Sequence, residues 1–432
     1  MTHSQFIRDI LFRAGAEEGD EIRIEIEGRV YEGILMPHHD FSNPETLIIK
    51  LKNGYNIGVR ISNDARVVSL KKGIERRKKI IKKICRNEKK SVAVIGTGGT
   101  IASYVDYRTG GVHPAVTAEE LMNAVPEITE ICNIDAQVLF SIYSENIDVD
   151  KWRALAEAVA DKLRSGYEGC IIPHGTDTMG FTAAALSFMF EKLPRPVVLV
   201  GAQRSSDRPS SDAYTNLIAS ARVIIESDIA EICVLMHESP SDVSALVHRG
   251  VKVRKMHASR RDAFKSINDS PIARVYFDGG IDYLTSYNKK NSEGVVLRPE
   301  MEKEVALLYF YPGMSSSKFE SILTGHKGVV IAGSGLGHVS SDMIKSIAKA
   351  IKSGTKIVIT SQCLYGRVNL NVYDTGRDLL AAGVIPGEDM LPETAFVKLM
   401  WVLANASSDD EVSAMMQKNL RGEICQRREL SG

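Results

Sequence analysis

The sequence predicts an α/β protein, a two-domain unit with mostly parallel sheets preceded by a small all-β, barrel-like domain. Three observations carry that reading. From Val92 onward, short apolar runs alternate with helical patterns, as in a mostly parallel sheet. Two of those runs, V-A-V-I at 92–95 and C-I-I-P at 170–173, pass straight into Gly-rich turns that present threonines, G-T-G-G-T at 96–100 and H-G-T-D-T at 174–178. Before residue 70 the period changes: Ile22, Ile24 and Ile26 alternate with Arg23 and Glu25, the two-residue repeat of a half-buried strand.

Taken in order, residues 1–70 form the small β-barrel-like domain. L-I-I-K-L-K at 47–52, Asn53-Gly54 and Y-N-I-G-V-R-I mark a hairpin, because Asn-Gly suits a turn whose central residues need positive φ. Residues 71–90 hold eleven Lys or Arg against two Glu and read as a basic helical linker. Such a run is either a solvated connector or a contact for nucleic-acid phosphates. Residues 91–278 form the first α/β domain, with strands at 92–95, 170–173, 197–200 and 232–236 and helices at 151–164 and 181–190. Thr117 and Glu120 make a capping box for a helix at 118–125. A connection at 279–302 leads to a second α/β domain at 303–432, with strands near 328–332 and 356–360 and a helix around 341–352.

Composition bounds the function. Lys+Arg and Asp+Glu both total 54, so the whole chain carries no polyanion-binding charge. No stretch reaches the ~20 apolar residues of a membrane span, and the first ten residues hold no signal-peptide core. Cys85, Cys132, Cys170, Cys233, Cys363 and Cys425 are scattered, which fits reduced core thiols in a cytoplasmic chain. His237, His248, His257 and His338 stand singly, and no cluster has metal-ligand spacing. G-T-G-G-T fails the dinucleotide pattern because Ile101 occupies the third glycine position. G-S-G-L-G-H at 333–338 fails likewise at His338, and neither run is a P-loop.

What remains is threonine chemistry. Strand ends in an open parallel sheet line a common crevice, so the two turns share one site. A threonine hydroxyl is a poor nucleophile unless a base and a charge relay assist it. Thr176-Asp177 and a cation in K-V-R-K-M-H, residues 252–257, offer that relay, with Lys252, Arg254 and Lys255 as the candidates.

On G-T-G-G-T-I-A at 96–102 and H-G-T-D-T at 174–178, the chain resembles the L-asparaginase family from about Ser91 to about Cys425. Its extra N-terminal domain, basic linker and H-E-S-P-S-D-V-S-A-L-V-H-R-G at 237–250 resemble the branch of that family found in the archaeal glutamyl-tRNA(Gln) amidotransferases. The resemblance implies an asparaginase-like fold with Thr100 as nucleophile and Thr176, Asp177 and Lys255 as a supporting set. By itself Thr100 would read as a helix N-cap. The resemblance further implies that Ser144, Glu145, Gly99 and Gly175 bind substrate, although relatives commonly carry Gln where Glu145 stands. It makes residues 103–113 a mobile lid with Tyr104 and Tyr107 as candidates to close it. Tyr373 stands where secreted asparaginases carry Glu in a segment that completes a neighbouring subunit's site.

The implied function is an amidase that releases ammonia from glutamine or asparagine, so that a partner transamidase, the E-type component of the enzyme, can convert Glu-tRNA(Gln) to Gln-tRNA(Gln). The resemblance places ATP and Mg at that partner, gives this chain no cofactor, and implies a dimer within a heterotetramer. The alternatives are a free-standing cytoplasmic asparaginase, which gives residues 1–90 no task, and an inactive asparaginase-fold scaffold, which has no need of all four site residues.

Overall fold

The computed structural model describes residues 3–36, 43–51, 56–72, 89–98, 104–106, 111–113, 128–204 and 211–425. The basic stretch from 73 to 88, the capping box of Thr117 and Glu120, and the Asn53-Gly54 turn lie outside them.

The N-terminal unit opens with a helix, Gln5–Ala14, where the sequence pattern above predicts none. Ser4 caps its first turn, accepting from the Ile7 N–H, and Gly15 closes it at φ 58°. A five-stranded antiparallel sheet follows, with Glu21–Ile26 between Arg29–Met36 and Arg66–Lys71, and with Thr46–Lys50 and Asn56–Arg60 beyond Arg29–Met36. Among the described residues no ladder joins its two edge strands. Ile22, Ile24 and Ile26 all point inward, onto Ile7, Leu35, Leu47 and Ile49, so the period-two pattern sets the face that packs.

The larger body contains an eight-stranded sheet. Its parallel part has the spatial order Asn133–Ile142, Ser91–Gly98, Cys170–Pro173, Val197–Val200, Ile232–His237. In sequence terms that order is second, first, third, fourth, fifth. The direction of winding therefore reverses between Ser91–Gly98 and Cys170–Pro173, where open α/β sheets bind ligands. Ser244–Arg249, Ala273–Tyr276 and Ile281–Tyr283 extend the sheet antiparallel, so its last strand falls inside the stretch read as a connection.

A second, all-parallel sheet has the order Val305–Tyr309, Gly328–Gly333, Lys356–Ser361, Ile385–Pro386. One hydrophobic core spans both sheets. Helix Met179–Met189 is apolar nearly all round, as a helix buried on every side must be, and it packs on helix Pro392–Asn405 of the second unit. Phe188 stacks on Trp401 with ring centroids 6.3 Å apart, and Phe181 meets Phe396 edge-on at 6.4 Å.

The C-terminal segment is locked in by charge. Lys398 and Glu423 are fully buried and meet at 2.6 Å, while Lys398 Nζ also donates to the carbonyls of Met416 and Lys418. Cys132, Cys170 and Cys233 are buried free thiols, and desolvation pushes the Cys170 thiol up to about 12, so it is inert. Cys363 departs from the core-thiol expectation, being exposed. Among the described residues no helix is long and apolar enough to cross a membrane.

Candidate active site

Four neighbouring strands of the large sheet end side by side, and among the described residues the turns after three of them meet. Ser91–Gly98 ends at Gly98, whose φ of +104° already favours glycine. A Cβ there would lie 2.2 Å from the Ile142 carbonyl oxygen, so no other residue fits. The preceding Thr97 is buried, and its hydroxyl donates to the Pro173 carbonyl at 2.9 Å, tying the two strand ends at the reversal point. Gly99 and Thr100 follow immediately but lie outside the described residues, as does Tyr107.

Cys170–Pro173 delivers His174 to Thr178 ahead of the Met179–Met189 helix. Gly175 faces Ser144, with 2.6 Å between an added Cβ and the serine Cβ, and the Thr178 hydroxyl donates to the Ser144 carbonyl at 2.7 Å. Ser144 and Gly175 are thus in contact; Ser144 is buried, whereas Glu145 beside it is exposed. From the fourth strand, Gly201 packs on the Thr176 methyl group.

Lys255 arrives from a small hairpin, Val253–Lys255 paired with Phe264–Ser266. Its Nζ donates to Thr176 Oγ1 at 2.8 Å and to Asp177 Oδ1 at 2.7 Å. Of the three candidate cations, Lys252 pairs instead with Asp389 and Arg254 with Glu393. The Lys255 side chain is 14% exposed and that of Asp177 is 70% exposed, so the pair sits at the mouth of the crevice with Thr176 beneath it. Because Thr176 Oγ1 accepts from the ammonium, its own proton is free to point to a substrate or a water.

The trio is supported by His174, from the H-G-T-D-T motif itself, and by Thr182 and Trp152, which lie outside both motifs. His174 is buried and its Nδ1 faces the Gly175 carbonyl at 2.7 Å, an acceptor only, so Nδ1 carries the hydrogen. Nε2 then accepts from the Thr182 hydroxyl at 2.9 Å, and Thr182 accepts from Trp152 Nε1–H at 2.9 Å. Every member of this relay is satisfied with a neutral imidazole. On the other side, buried Asp212 accepts from the backbone N–H groups of Gln203 and Arg204, and the Asn216 amide donates to the Gly201 carbonyl at 3.0 Å. For these last residues a signal did exist: Asp212, Asn216 and Ser220 form a polar stripe at helical spacing on the buried side of Ala213–Glu226.

Two of the supports titrate. Burial pushes the His174 imidazole down to about 4. The same cause, with repulsion from Lys265, pushes His248 down to about 3; its Nδ1 is 2.8 Å from the Ser266 hydroxyl on the Lys255 hairpin. An unfolded histidine titrates near 6.5, so between ~6.5 and ~4 the unfolded chain binds protons that the folded chain refuses. Stability therefore falls as pH falls through that window. Melting temperatures measured from pH 7 to pH 4 should decline, less steeply in His174→Gln; a level profile in wild type would rule this out.

The described part of the expected lid is a hairpin, Tyr104–Asp106 antiparallel to Gly111–His113. Tyr373 is exposed and lies edge-on to His338 at 5.2 Å. Among the described residues no group of three His, Cys, Asp or Glu could hold a metal ion.

Three family profiles match the chain: Asparaginase, N-terminal, over residues 91–288; Glutaminase/Asparaginase C-terminal domain, over 304–416; and GatD N-terminal domain, over 16–70. The GatD component of the glutamyl-tRNA(Gln) amidotransferase of Pyrococcus furiosus is 53% identical over 426 residues, covering 97% of each chain. Its counterpart from Aeropyrum pernix is 48% identical, covering 93% of this chain and 96% of the other. Among solved structures, the thermostable L-asparaginase from Thermococcus kodakarensis is 30% identical with a TM-score of 0.68, covering 78% of this chain and 100% of its own. L-asparaginase I from Vibrio cholerae is also 30% identical, with a TM-score of 0.69, covering 78% of this chain and 99% of its own.

Proposed function

Because the chain belongs to the GatD family of glutamyl-tRNA(Gln) amidotransferase components, we propose that it is the amidase component of such an enzyme, releasing ammonia for conversion of Glu-tRNA(Gln) to Gln-tRNA(Gln). The observation that carries the chemistry is Lys255 Nζ bridging Thr176 Oγ1 and Asp177 Oδ1 at the reversal point of the sheet. The match at residues 16–70 favours the amidotransferase component over a free-standing asparaginase, which has no use for that unit.

In this reading Thr100 Oγ attacks the side-chain amide carbon of glutamine or asparagine, the C–N bond breaks, and ammonia leaves an acyl-threonine that water then hydrolyses. Ser144 and Gly175 form the floor that receives the amino-acid end of the substrate, with Glu145 and Gly99 as its further binding residues. The Thr176 hydroxyl orients the attacking water, and the Lys255 charge lowers the cost of negative charge developing on oxygen beside it. The 103–113 segment acts as the lid and closes the crevice through Tyr104 or Tyr107. Transamidation, with its ATP and Mg, belongs to the E-type partner, in a cytoplasmic hetero-oligomer holding two copies of this chain.

An amidase coupled to transamidation is wasteful unless its acceptor is present, so charged tRNA on the partner should raise the rate. A closure bias of about 1.4 kcal/mol in the lid changes its open-to-closed ratio tenfold. The test measures ammonia release from glutamine and from asparagine by the assembled complex with charged and uncharged tRNA. A several-fold acceleration by charged tRNA is expected; identical rates would favour a free-standing asparaginase.

A further inference from the structure

The hairpin that carries Lys255 is attached at its feet, and the attachment belongs to the other α/β unit. Lys252, just before Val253–Lys255, is only 1% exposed and donates from Nζ to Asp389 Oδ2 at 2.6 Å. Asp389 is itself 7% exposed, and its Oδ1 accepts the Cys425 N–H at 3.0 Å, so both carboxylate oxygens are engaged. Asn268, just past the returning strand, sits at φ 57°; its amide donates at 3.0 Å to the carbonyls of Asp389 and Gly366 and its oxygen accepts the Gly366 N–H. The two feet also bond to each other, Ile267 N–H to the Lys252 carbonyl at 2.8 Å. Along the strand, Arg254 leaves one face for Glu393 at 3.1 Å, and Lys255 leaves the opposite face for Thr176. At the tip, Met256 is exposed, with the His257–Arg260 stretch exposed beside it.

We propose that Asp389 is a positioning residue for Lys255, fixing the hairpin's base through Lys252 and Asn268 so that the lysine reaches Thr176 and Asp177 in register. The proposal rests on the amidase reading of that trio. A four-carbon side chain does not set its own origin. Its ammonium can bridge two oxygens at 2.7–2.8 Å only if the backbone beneath it is fixed. A misplacement of about 1 Å in a catalytic group costs on the order of 100-fold in rate. A buried ion pair is no better for stability than apolar side chains of the same volume, but it permits one arrangement of its partners, which suits a positioning role.

The test uses the full-length chain in its assembled complex and compares wild type with Asp389→Asn and Asn268→Gly. Asparagine keeps the size and one acceptor for Cys425 while removing the charge that holds Lys252. Glycine at 268 keeps the positive φ without strain and removes the three side-chain hydrogen bonds. For each variant, kcat and KM for the amide donor are measured across pH, together with the melting temperature. In folded protein, kcat should fall about tenfold or more with KM within about twofold of wild type. If Asp389→Asn fails to fold, Asn268→Gly decides. Unchanged kcat in the folded variants, or a loss of kcat only in proportion to a lowered melting temperature, would overturn the positioning role. An active wild type that is unaffected by Lys255→Met would instead overturn the amidase reading, and the proposal with it.

Discussion

Replacing Thr100 by alanine is expected to lower amide hydrolysis roughly 10⁴-fold or more while leaving the fold in place. The residue follows Gly98 by two positions, after a strand whose last residues are held to both neighbours, Thr97 to Pro173 and Gly98 beside Ile142. In the proposed reaction its hydroxyl serves the crevice where Thr176 and Lys255 meet. If Thr100 served only as a helix cap, its loss would cost about 0.5–2 kcal/mol of stability and little activity. Ammonia release and thermal unfolding of the variant separate the two roles. Near-normal turnover would move the nucleophile to Thr176.

Lys255→Met should lower turnover by about two to four orders of magnitude, the range lost when a positioned proton-transfer or charge partner is removed. Its stability should scarcely change. Asp177 is 70% exposed, and an ion pair open to solvent on one side contributes about 0–1 kcal/mol. Lys252→Met provides the contrast. It leaves Asp389 buried without its cation, which costs about 3–5 kcal/mol, so its first effect is on folding. Parallel kinetic and denaturation measurements on the two variants check the assignment; equal kinetic losses at equal stability would refute it.

Three of the four strands that carry the site are legible as short apolar runs passing straight into glycine-bearing turns, whereas Asn133–Ile142, mostly half-buried and mixed in polarity, is missing from the sequence reading. The helix Gln5–Ala14 is equally legible, with Ile7, Ile10, Leu11 and Ala14 on one side between Ser4 and Gly15, yet a reading tuned to the strands passes over it. The antiparallel extension is not legible, since Ser244–Arg249 and Ala273–Tyr276 have the same apolar character as their parallel neighbours. Strand order, and with it the meeting of the two motifs, depends on which loops cross the sheet. Lys255 can be told from Lys252 only through the family pattern, because three cations in four residues carry no local mark. The partner that separates them physically, Asp389, lies 137 residues from Lys252. His174 stands in the H-G-T-D-T motif, but its partners Thr182 and Trp152 escape because a relay through ordinary core positions shows itself only when the helices are packed.

The core shared by the two sheets has a consequence for how the molecule is made. On the ribosome the first sheet emerges with helix Met179–Met189 complete but one side of it bare, because its cover, Pro392–Asn405, follows much later in the chain. Asp389 and Cys425, which set the feet of the Lys255 hairpin, come equally late. A growing chain therefore carries Thr176 and Asp177 long before Asp389 can fix the hairpin that brings Lys255 against them.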